Sequence, residues 1–578
     1  MQLIEQDLTA LGESPVFDVV VVGAGGAGLS AALFAALEGA RVLLVEHTGC
    51  VGGTTAWSAG TTWVPGTSHG QRVNPQDSLA EAARYLDHAV GGHADARLRQ
   101  AFLEHGAAAV EAVESRTELK FRPYPKHPDY ISDLPGSTLN GRALEPLPFD
   151  GRRLGDRFRL VRPPIPEFTV LGGMMVDRTD INHLLGMTRS WASLRHSVSI
   201  LGRHLMDRLR HPRGTRLVMG NALVGRLLYS LDQQTGVTLA LNTAVESIER
   251  ESDAVVAVTV SLGGVRRRVA VRGGVVLASG GFNRHPDRRA EMIPGVPAEW
   301  CPGAPGHTGS AHDLARALGA RYAAGGRSHA FWAPVSLRRR ADGSQAVFPH
   351  FVMDRAKPGM ITVNQRGRRF LNESTSYHLF GLAMQAAHRD TPSIPAYLVC
   401  DAEALRKYGL GMVRPGGKGL EPFLSDGYLV RGDTLAELAA RLGVDAEGLA
   451  DSVARNNTHA ESGVDPDFQR GVTAYQNNLG DPAWTGPNPN LGPIRTAPFY
   501  AVRLYPGDIG ASTGLATDAQ ARVLGEGDAP IAGLYAVGND MQSIMGGAYP
   551  APGITIGPGL VFAYIAARDA VARGRRHA

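Results

Sequence analysis

Two hydrogen-bond donors lie four residues apart in the segment Gly-Gly-Ala-Tyr-Pro-Ala-Pro-Gly that ends at Gly553. Tyr549 offers a phenol, and Gly553 offers a backbone N–H where a helix is expected to begin. The prolines restrict the backbone around both donors. Two donors directed at one carbonyl oxygen would polarise it and stabilise the negative charge that develops on it. The segment therefore predicts a site for a ketone, although a rigid helix start would use the same residues.

A strand, a glycine-rich turn and a helix near the start of the chain are the first of the elements that must position these donors and a bound ligand. Phe17–Val22 is a short β-branched run, typical of a buried parallel strand. Gly23, Gly25 and Gly28 follow, where the chain must turn tightly and let a pyrophosphate approach a helix N-terminus. Glu46 ends the next apolar run and is placed to hold a ribose. This order predicts an adenine dinucleotide, whereas the glycines alone would also fit a tight turn without a ligand.

Later segments favour a flavin over a nicotinamide. Small and hydroxyl residues fill Gly52–Gly60 and would let the backbone lie flat against a large planar cofactor. Two more apolar runs that lead into glycines, Val275–Gly281 and Gly533–Asp540, occur far downstream. The further residues expected to contact the cofactor are Gly53, Thr54, Thr55, Ser58, Gly60, Ala278, Gly280, Gly538, Asn539 and Ile554.

With these segments in this order, the chain resembles the large flavoprotein family that contains fumarate reductases and 3-ketosteroid dehydrogenases. The resemblance covers nearly the whole chain and implies FAD as the cofactor. The fold class that it implies is α/β, with a Rossmann-like FAD-binding domain and an inserted α+β substrate domain. The segment with Tyr549 and Gly553 resembles the C-terminal motif of the 3-ketosteroid dehydrogenases, in which a Tyr and a Gly hold the steroid ketone.

The resemblance also gives a role to two other tyrosines. Arg366–Phe380 resembles the motif in which the tyrosine after Asn-Glu-Ser, here Tyr377, is the catalytic base. Pro128-Asp129-Tyr130 resembles the segment whose tyrosine supports that base. The implied reaction is proton abstraction next to a polarised ketone, with hydride transfer from the neighbouring carbon to flavin N5. A free phenol has a pKa of about 10 and needs such support to act as a base.

Departures from the family patterns bear on the substrate. Asp508–Leu515 lacks the histidine that the fumarate reductase branch uses for a dicarboxylate, and no histidine follows Gly52-Gly53, so FAD is expected to be non-covalent. Ala551 replaces a glycine common in the steroid branch. We expect Δ1-dehydrogenation of a 3-ketosteroid. Δ4(5α)-dehydrogenation, desaturation of a smaller cyclic ketone such as cyclohexanone, reduction of an activated alkene and a non-catalytic FAD-binding or membrane-surface protein are the alternatives.

Composition and charge indicate an ordinary multi-domain enzyme. The chain has 578 residues, 43% of them hydrophobic, and a formal net charge of +4 that does not indicate nucleic acid as a partner. The three cysteines are widely separated and show no metal-ligand spacing, so no metal is expected. The first residues do not read as a secretion signal, and the cytoplasm is the expected location. The electron acceptor, a quinone or an electron-transfer protein, and the oligomeric state stay open.

One segment concentrates positive charge. Residues 189–211 predict a basic amphipathic helix, ended by Pro212. The apolar residues that recur at helical spacing are Trp191, Leu194, Val198, Leu201, Leu205 and Leu209. Most such helices pack the apolar stripe on their own domain, which is the expectation we favour. Contact with a membrane surface, where an apolar ketone could be collected, or with another subunit are the alternatives.

The spread of the cofactor segments predicts the domain order. The strands that lead to Gly281 and Gly538 must lie near the first glycine turn, so the chain between them leaves the cofactor domain and returns. We expect residues 1–282 and 494–578 to form the FAD-binding domain, with a helical insertion at about 154–228, and residues 283–493 to form the substrate domain. The active site should lie in the cleft between them.

Overall fold

The computed structural model describes residues 1–351 and 354–576 and contains two large sheets with helices on their faces. The strands are β1 Gln2–Ile4, β2 Val16–Val22, β3 Val42–Val45, β4 Thr62–Trp63, β5 Phe121–Pro123, β6 Ala143–Pro146, β7 Phe149–Asp150, β8 Thr169–Val170, β9 Met174–Met175, β10 Arg216–Leu217, β11 Val237–Ala240, β12 Ala244–Glu251, β13 Ala254–Leu262, β14 Val265–Leu277, β15 Ala330–Arg339, β16 Gln345–Pro349, β17 Met360–Val363, β18 Ala396–Asp401, β19 Val430–Gly432, β20 Phe499–Ala511, β21 Arg522–Leu524 and β22 Pro530–Ala536.

The helices lie between and after these strands. They are α1 Gly26–Leu37, α2 Ser68–Val73, α3 Leu79–Val90, α4 Ala96–Arg116, α5 Arg178–Leu185, α6 Trp191–Arg208, α7 Met219–Asp232, α8 Pro286–Met292, α9 Ser310–Ala317, α10 Tyr377–His388, α11 Ala402–Tyr408, α12 Glu421–Ser425, α13 Leu435–Leu442, α14 Ala446–Ser462, α15 Ala474–Leu479 and α16 Ile556–Arg576.

The first sheet has nine strands in the order β1-β11-β3-β2-β14-β13-β22-β21, with β12 paired to β13. Its centre is parallel, since β2 pairs in parallel with β3 and β14, and β14 pairs in parallel with β22. Helices α1 and α16 pack together and against this centre. Strands covered by helices are buried on both faces, which is why their sequences are continuous apolar runs. The predicted strand–turn–helix and the two predicted downstream strands are confirmed.

The second sheet is antiparallel and has the order β16-β15-β20-β18-β17, with β19 on β20. The apolar faces of α10, α13 and α14 cover it, which makes this unit an α+β layer as predicted. Its central strand β20, Phe499–Ala511, follows the boundary predicted after residue 493. The second sheet therefore extends beyond the predicted substrate domain, because the Pro- and Gly-rich segment before β20 is a loop that precedes the last strand of this sheet.

The predicted helical insertion contains α5, α6 and α7 together with the hairpin β8–β9. The expectation that the apolar stripe of α6 packs on its own domain is wrong for four of its six residues, whereas Leu201 packs against the cluster of Met174, Val176 and Ile200. Trp191, Val198, Leu205 and Leu209 are 78%, 59%, 69% and 84% exposed. Polar contacts on the opposite side hold the helix, since Asp207 accepts hydrogen bonds from the backbone N–H and hydroxyl of Thr215 at 2.8 and 2.7 Å. Within the described residues, no helix has both the length and the apolar character to cross a membrane.

Candidate active site

Three tyrosines from distant parts of the chain meet between the two sheets. The phenol of Tyr130 donates a hydrogen bond to the phenol oxygen of Tyr377 at 3.2 Å. The ring of Tyr549 lies 5.1 Å from that of Tyr377 and stacks 5.8 Å from that of Tyr130, measured between centroids. All three side chains are buried. The structure thus brings together the three tyrosines that the sequence motifs single out.

Tyr377 is the first residue of α10, and a buried ion-pair network fixes the loop before it. The Glu373 carboxylate accepts hydrogen bonds from Arg369, with Nε at 2.9 Å and Nη2 at 2.7 Å. The guanidinium of Arg355 donates to the carbonyl oxygens of Glu373 and Thr375 at 2.5 and 2.6 Å. Arg355, Arg369 and Glu373 therefore bond to one another and to backbone carbonyls rather than to Tyr130, Tyr377 or Tyr549. They hold the backbone that directs Tyr377 into the cluster.

Tyr130 is positioned by its neighbour in the chain. The buried Asp129 carboxylate accepts hydrogen bonds from the Trp63 indole N–H and the Arg142 guanidinium, both at 2.9 Å. Burial raises the pKa of Asp129 to about 6, against the opposing effect of Arg142. The backbone N–H of Tyr130 donates to the carbonyl oxygen of Pro550 at 2.7 Å. This last bond ties Tyr130 to the loop that carries Tyr549.

Gly553 lies in that loop with a φ of +86°. A Cβ at this position would lie 2.3 Å from the carbonyl oxygen of Thr61, so only glycine fits. The Gly553 carbonyl oxygen accepts hydrogen bonds from the backbone N–H groups of Trp63 and Gly557, whereas its own N–H donates to no described residue. The donor that the sequence predicts for a ketone oxygen is thus held in place and unpaired among the described residues.

The cluster is apolar around the phenols. Burial raises the pKa of Tyr130 and Tyr377 well above the ordinary value, and it raises the pKa of Tyr549 as well. The phenols are therefore protonated at neutral pH in the protein alone. Because the Tyr130 hydroxyl points at the Tyr377 oxygen, it is the group that would stabilise a phenolate there.

The sequence did not identify Tyr475, the second residue of α15. Its ring lies 4.7 Å from that of Tyr130, and its phenol oxygen is buried without a hydrogen-bond partner among the described residues. Burial raises the pKa of Tyr475 to about 12, and the positive charge of Arg355 opposes this rise. Phe331 and Phe351 complete the walls, with ring centroids 5.1 Å from Tyr549 and 4.9 Å from Tyr377. No local sequence pattern marks Tyr475, Phe331 or Phe351 as part of a site.

The first glycine turn has the geometry expected for a dinucleotide. A Cβ on Gly28 would lie 1.8 Å from the backbone carbonyl oxygen of Gly23, so the helix approaches the end of the strand this closely only because Gly28 lacks a side chain. Gly25 is the N-cap of α1, and a Cβ there would meet no protein atom within 4 Å. The buried Glu46 carboxylate accepts the N–H of Ala24 at 2.8 Å through one oxygen, and the N–H and hydroxyl of Thr48 at 2.9 and 2.7 Å through the other. The first oxygen keeps acceptor capacity for a ribose hydroxyl.

The hydroxyl segment after Glu46 is partly structural. Thr55 accepts the N–H of Gly26 through its hydroxyl at 3.3 Å, and the Ser58 hydroxyl donates to the Thr55 carbonyl at 2.8 Å. The Thr54 hydroxyl bonds His307 Nε2 at 3.2 Å, while Nδ1 of that histidine is buried without a described partner. The Cα of Gly25 is 3.4 Å from a Cβ built on Gly53, which places this segment against the glycine turn. Gly60 has a φ of +69° at the end of the segment.

The two downstream glycine runs are joined by a carboxylate that the sequence had not assigned. Buried Asp540 accepts hydrogen bonds from the backbone N–H groups of Ser279 and Gly281. This brings the loop with Ala278 and Gly280 next to the loop with Gly538 and Asn539. A small cleft follows, lined by residues that include Gly538, Asn539, Ile554 and Phe331. The residues present fit FAD, because the glycine turn, Glu46 and this cleft adjoin the tyrosine cluster through Phe331 and the Tyr549 loop.

Comparisons with known proteins agree with this arrangement. The chain matches the FAD binding domain family over residues 18–556. It is 38% identical to the 4-oxocyclohex-2-ene-1-carboxylate 5-dehydrogenase of Sinomonas cyclohexanicum over 96% of this chain and 93% of that protein. It is 35% identical to the 3-oxosteroid 1-dehydrogenase of Mycolicibacterium smegmatis over 96% of this chain and 97% of that protein.

A solved structure is also similar over nearly its full length. The 3-ketosteroid delta1-dehydrogenase of Sterolibacterium denitrificans, in complex with 1,4-androstadiene-3,17-dione, aligns with a TM-score of 0.89 at 35% identity. The alignment covers 96% of this chain and 99% of that one. The similarity extends through both sheets rather than through the nucleotide-binding part alone.

Two glycine substitutions distinguish a residue that leaves space for the cofactor from one that the fold itself requires. Gly25→Ala should keep the fold, because its methyl group meets no protein atom, but should weaken FAD binding by occupying the space at the α1 N-terminus. Gly28→Ala should lower the thermal stability of the cofactor-free protein, because its methyl group collides with the Gly23 carbonyl. Flavin absorbance per protein and the melting temperature after FAD removal measure the two effects. Equal melting temperatures for both cofactor-free variants would contradict this assignment.

Proposed function

The chain belongs to the FAD binding domain family as an FAD-dependent dehydrogenase of ring ketones, and we propose that it introduces a carbon–carbon double bond next to the ketone of its substrate. The preferred reaction is Δ1-dehydrogenation of a 3-ketosteroid. The contact between the phenols of Tyr130 and Tyr377 beside Tyr549 is the observation that carries the proposal. A protein that only bound FAD would have no need for three buried phenols beside an unpaired N–H.

Tyr549 and Gly553 hold the ketone in this proposal. A phenol and a backbone N–H that both donate to the carbonyl oxygen make the hydrogens on the neighbouring carbon more acidic. The two hydrogen bonds strengthen as negative charge develops on the carbonyl oxygen. They are stronger in a buried site than in water, because no water molecules compete for the donors. Their fixed positions in one loop mean that little reorganisation is needed during the reaction.

Tyr377 removes the proton from the carbon next to the ketone. Its oxygen accepts the hydrogen bond of Tyr130, so the negative charge that it acquires is shared with a second hydroxyl. FAD, when bound, supplies the acceptor for the hydride that leaves the next carbon. The buried surroundings exclude water from the enolate, which would otherwise be protonated again.

Two substrate sizes are compatible with these roles. The relatives act on a 3-oxosteroid and on a single six-membered ring ketone that carries a carboxylate, according to their names. Δ4(5α)-dehydrogenation would use the same donors with the steroid turned in the site. Anaerobic reduction of the bound flavin by ketones from cyclohexanone to androstenedione distinguishes these cases and also reports the direction of the reaction.

Replacing the proposed base tests the role of Tyr377. Tyr377→Phe removes the proton acceptor but keeps the ring in the cluster, so turnover of a 3-ketosteroid should fall at least about a hundredfold with the FAD content unchanged. Tyr505→Phe, at a half-buried tyrosine of β20 that packs on Trp300, is the matched control and should keep full activity. A dye-coupled assay and the flavin absorbance measure both variants. Wild-type activity in Tyr377→Phe would refute the assignment.

The pH dependence follows from the raised pKa of the buried phenols. A base acts only when it is unprotonated, and burial keeps Tyr377 protonated far into the alkaline range. The rate of flavin reduction should therefore increase with pH between about 6 and 9, by up to tenfold per pH unit. Tyr130→Phe should displace this rise to higher pH, because it removes the donor to the phenolate. Stopped-flow measurement would contradict the assignment if the rate were independent of pH or fell.

The exposed face of α6 supports a second proposal, that the protein contacts an anionic membrane surface. Four arginines on or beside this helix are exposed and form no ion pair with described residues: Arg189, Arg195, Arg208 and Arg210. Along the chain they flank the exposed apolar residues of α6 and Leu209. Apolar side chains bordered by arginine suit a bilayer with anionic headgroups. This position favours a quinone over an electron-transfer protein as the electron acceptor.

Vesicle sedimentation tests the membrane proposal. The triple variant Trp191→Ser, Leu205→Ser, Leu209→Ser should bind vesicles of phosphatidylglycerol and phosphatidylcholine about tenfold more weakly than the wild type. Val464→Ser with Val472→Ser is the control, since these valines are 62% and 66% exposed but lie outside the α6 surface. Equal binding by both variants, or no dependence on phosphatidylglycerol, would exclude a role for α6.

A further inference from the structure

A buried histidine follows the proposed base directly in the chain. His378 is the second residue of α10 and is only 2% exposed. Its ring lies 6.1 Å from that of Tyr549 and 6.0 Å from that of Phe331, measured between centroids. The imidazole is therefore close to the proposed ketone donor and, through the chain, to the proposed base Tyr377.

The first contact of His378 is with a β-bulge in the second sheet. The pairing of β15 with β20 skips one residue of β20 between Phe331 and Trp332. The Trp332 N–H at this bulge donates to Nδ1 of His378 at 3.2 Å. Bulges change the direction of the side chains beside them, and here Phe331 meets the ring of Tyr549 edge-on at 5.1 Å. His378 thus holds the bulge that directs a wall residue at the proposed ketone donor.

The second contact of His378 is with the loop that carries Tyr549. Burial lowers the pKa of His378 to about 4, and a hydrogen bond to the backbone of Gly547 opposes this change, so the ring is neutral near pH 7. Because Nδ1 accepts the Trp332 N–H, the single ring proton is on Nε2, which can donate to a carbonyl oxygen. One neutral imidazole therefore joins β15 to the loop two residues before Tyr549.

The segments that His378 joins are tightly packed. A Cβ on Gly547 would lie 2.4 Å from the backbone nitrogen of Ser328, and the indole N–H of Trp332 donates to the Ser328 hydroxyl at 2.8 Å. A Cβ on Gly381 of α10 would lie 2.6 Å from the Cβ of Trp332, so this helix packs closely on β15. A displacement of the imidazole would therefore move the donor loop relative to the helix that begins at the proposed base.

We propose that His378 is a positioning residue that sets the distance between the base Tyr377 and the ketone donor Tyr549. This inference rests on the proposed function, because it takes both tyrosines to act on one ketone. An error of about 1 Å between reacting groups can slow a reaction about a hundredfold. The connection needs an acceptor at Nδ1 and a donor at Nε2, which a neutral imidazole provides and a hydrocarbon side chain does not.

Rapid mixing of the oxidised, FAD-loaded protein with androst-4-ene-3,17-dione tests this role, or with cyclohexanone if only the smaller ketone reduces the wild-type flavin. His378→Leu removes both hydrogen bonds, so the limiting rate of flavin reduction should fall about tenfold to a hundredfold. The ketone concentration that gives half of this rate should change less than about threefold, because Tyr549 and Gly553 move together in one loop. His378→Asn keeps an acceptor for the Trp332 N–H and should recover part of the loss.

His388→Leu is the matched control. His388 is the last residue of α10, and its Nδ1 accepts the N–H groups of Ser393 and Ile394 at 3.1 and 3.3 Å. Its loss should lower the melting temperature but leave the rate of flavin reduction unchanged. An equal loss of rate in the two leucine variants would show a general destabilisation and overturn the proposal. If His378→Leu does not retain FAD, His378→Asn is compared with His388→Asn in the same way.

Hydrogen exchange separates an effect on the base from an effect on the flavin. With the flavin kept reduced in D₂O, exchange at the carbon next to the ketone should be at least about fivefold slower in His378→Leu than in the wild type. Slower flavin reduction with wild-type exchange would assign the effect to hydride transfer and overturn the proposal, as would wild-type flavin reduction in this variant. If no ketone reduced the flavin of the wild type, the proposed function itself would fail.

Discussion

The burial of three phenols in one contact is the constraint on which the rest of the site depends. A buried hydroxyl without a partner costs about 1–3 kcal/mol, so the phenols are stable there only if they bond to one another or to a ligand. The Tyr130–Tyr377 hydrogen bond satisfies part of this need. The Gly553 N–H and the buried Tyr475 hydroxyl have no hydrogen-bond acceptor among the described residues. The cluster is therefore built to receive an oxygen atom, which a ketone provides.

The three phenols come from the first residue of α10 and from two loops, and contacts between distant parts of the chain hold these segments together. Pro550 accepts the Tyr130 N–H, Asp129 binds Trp63 and Arg142, and Arg355 fixes the loop before α10. None of these contacts is local in sequence. Together they fix the distance between the proposed ketone donors and the proposed base, and a fixed distance between reacting groups is what catalysis by positioning requires. The glycine turn on the first sheet then has to bring the cofactor to the same place.

The sequence predicted the parts of the structure that depend on short-range patterns. The Gly23–Gly28 turn and Glu46 could be identified because strand, glycines, helix and acid follow one another within thirty residues. The tyrosine roles came only from resemblance, because a phenol has no local pattern that marks it as catalytic. Tyr475, Arg355 and Asp540 were missed since each acts on residues far away in the chain. The apolar stripe of α6 was recognised, but periodicity does not say whether such a stripe faces a core or the solvent, and here four of its six residues face the solvent.

The central claim is that the tyrosines enolise the ketone independently of the redox step, and hydrogen exchange tests it directly. The protein is kept anaerobic with its flavin already reduced, so that desaturation cannot proceed, and a ring ketone is incubated with it in D₂O. The account predicts that deuterium enters the carbon next to the ketone with the wild-type protein and not with Tyr377→Phe, as NMR or mass spectrometry would show. Equal exchange with both proteins, or none with a wild type that desaturates the same ketone when oxidised, would contradict it.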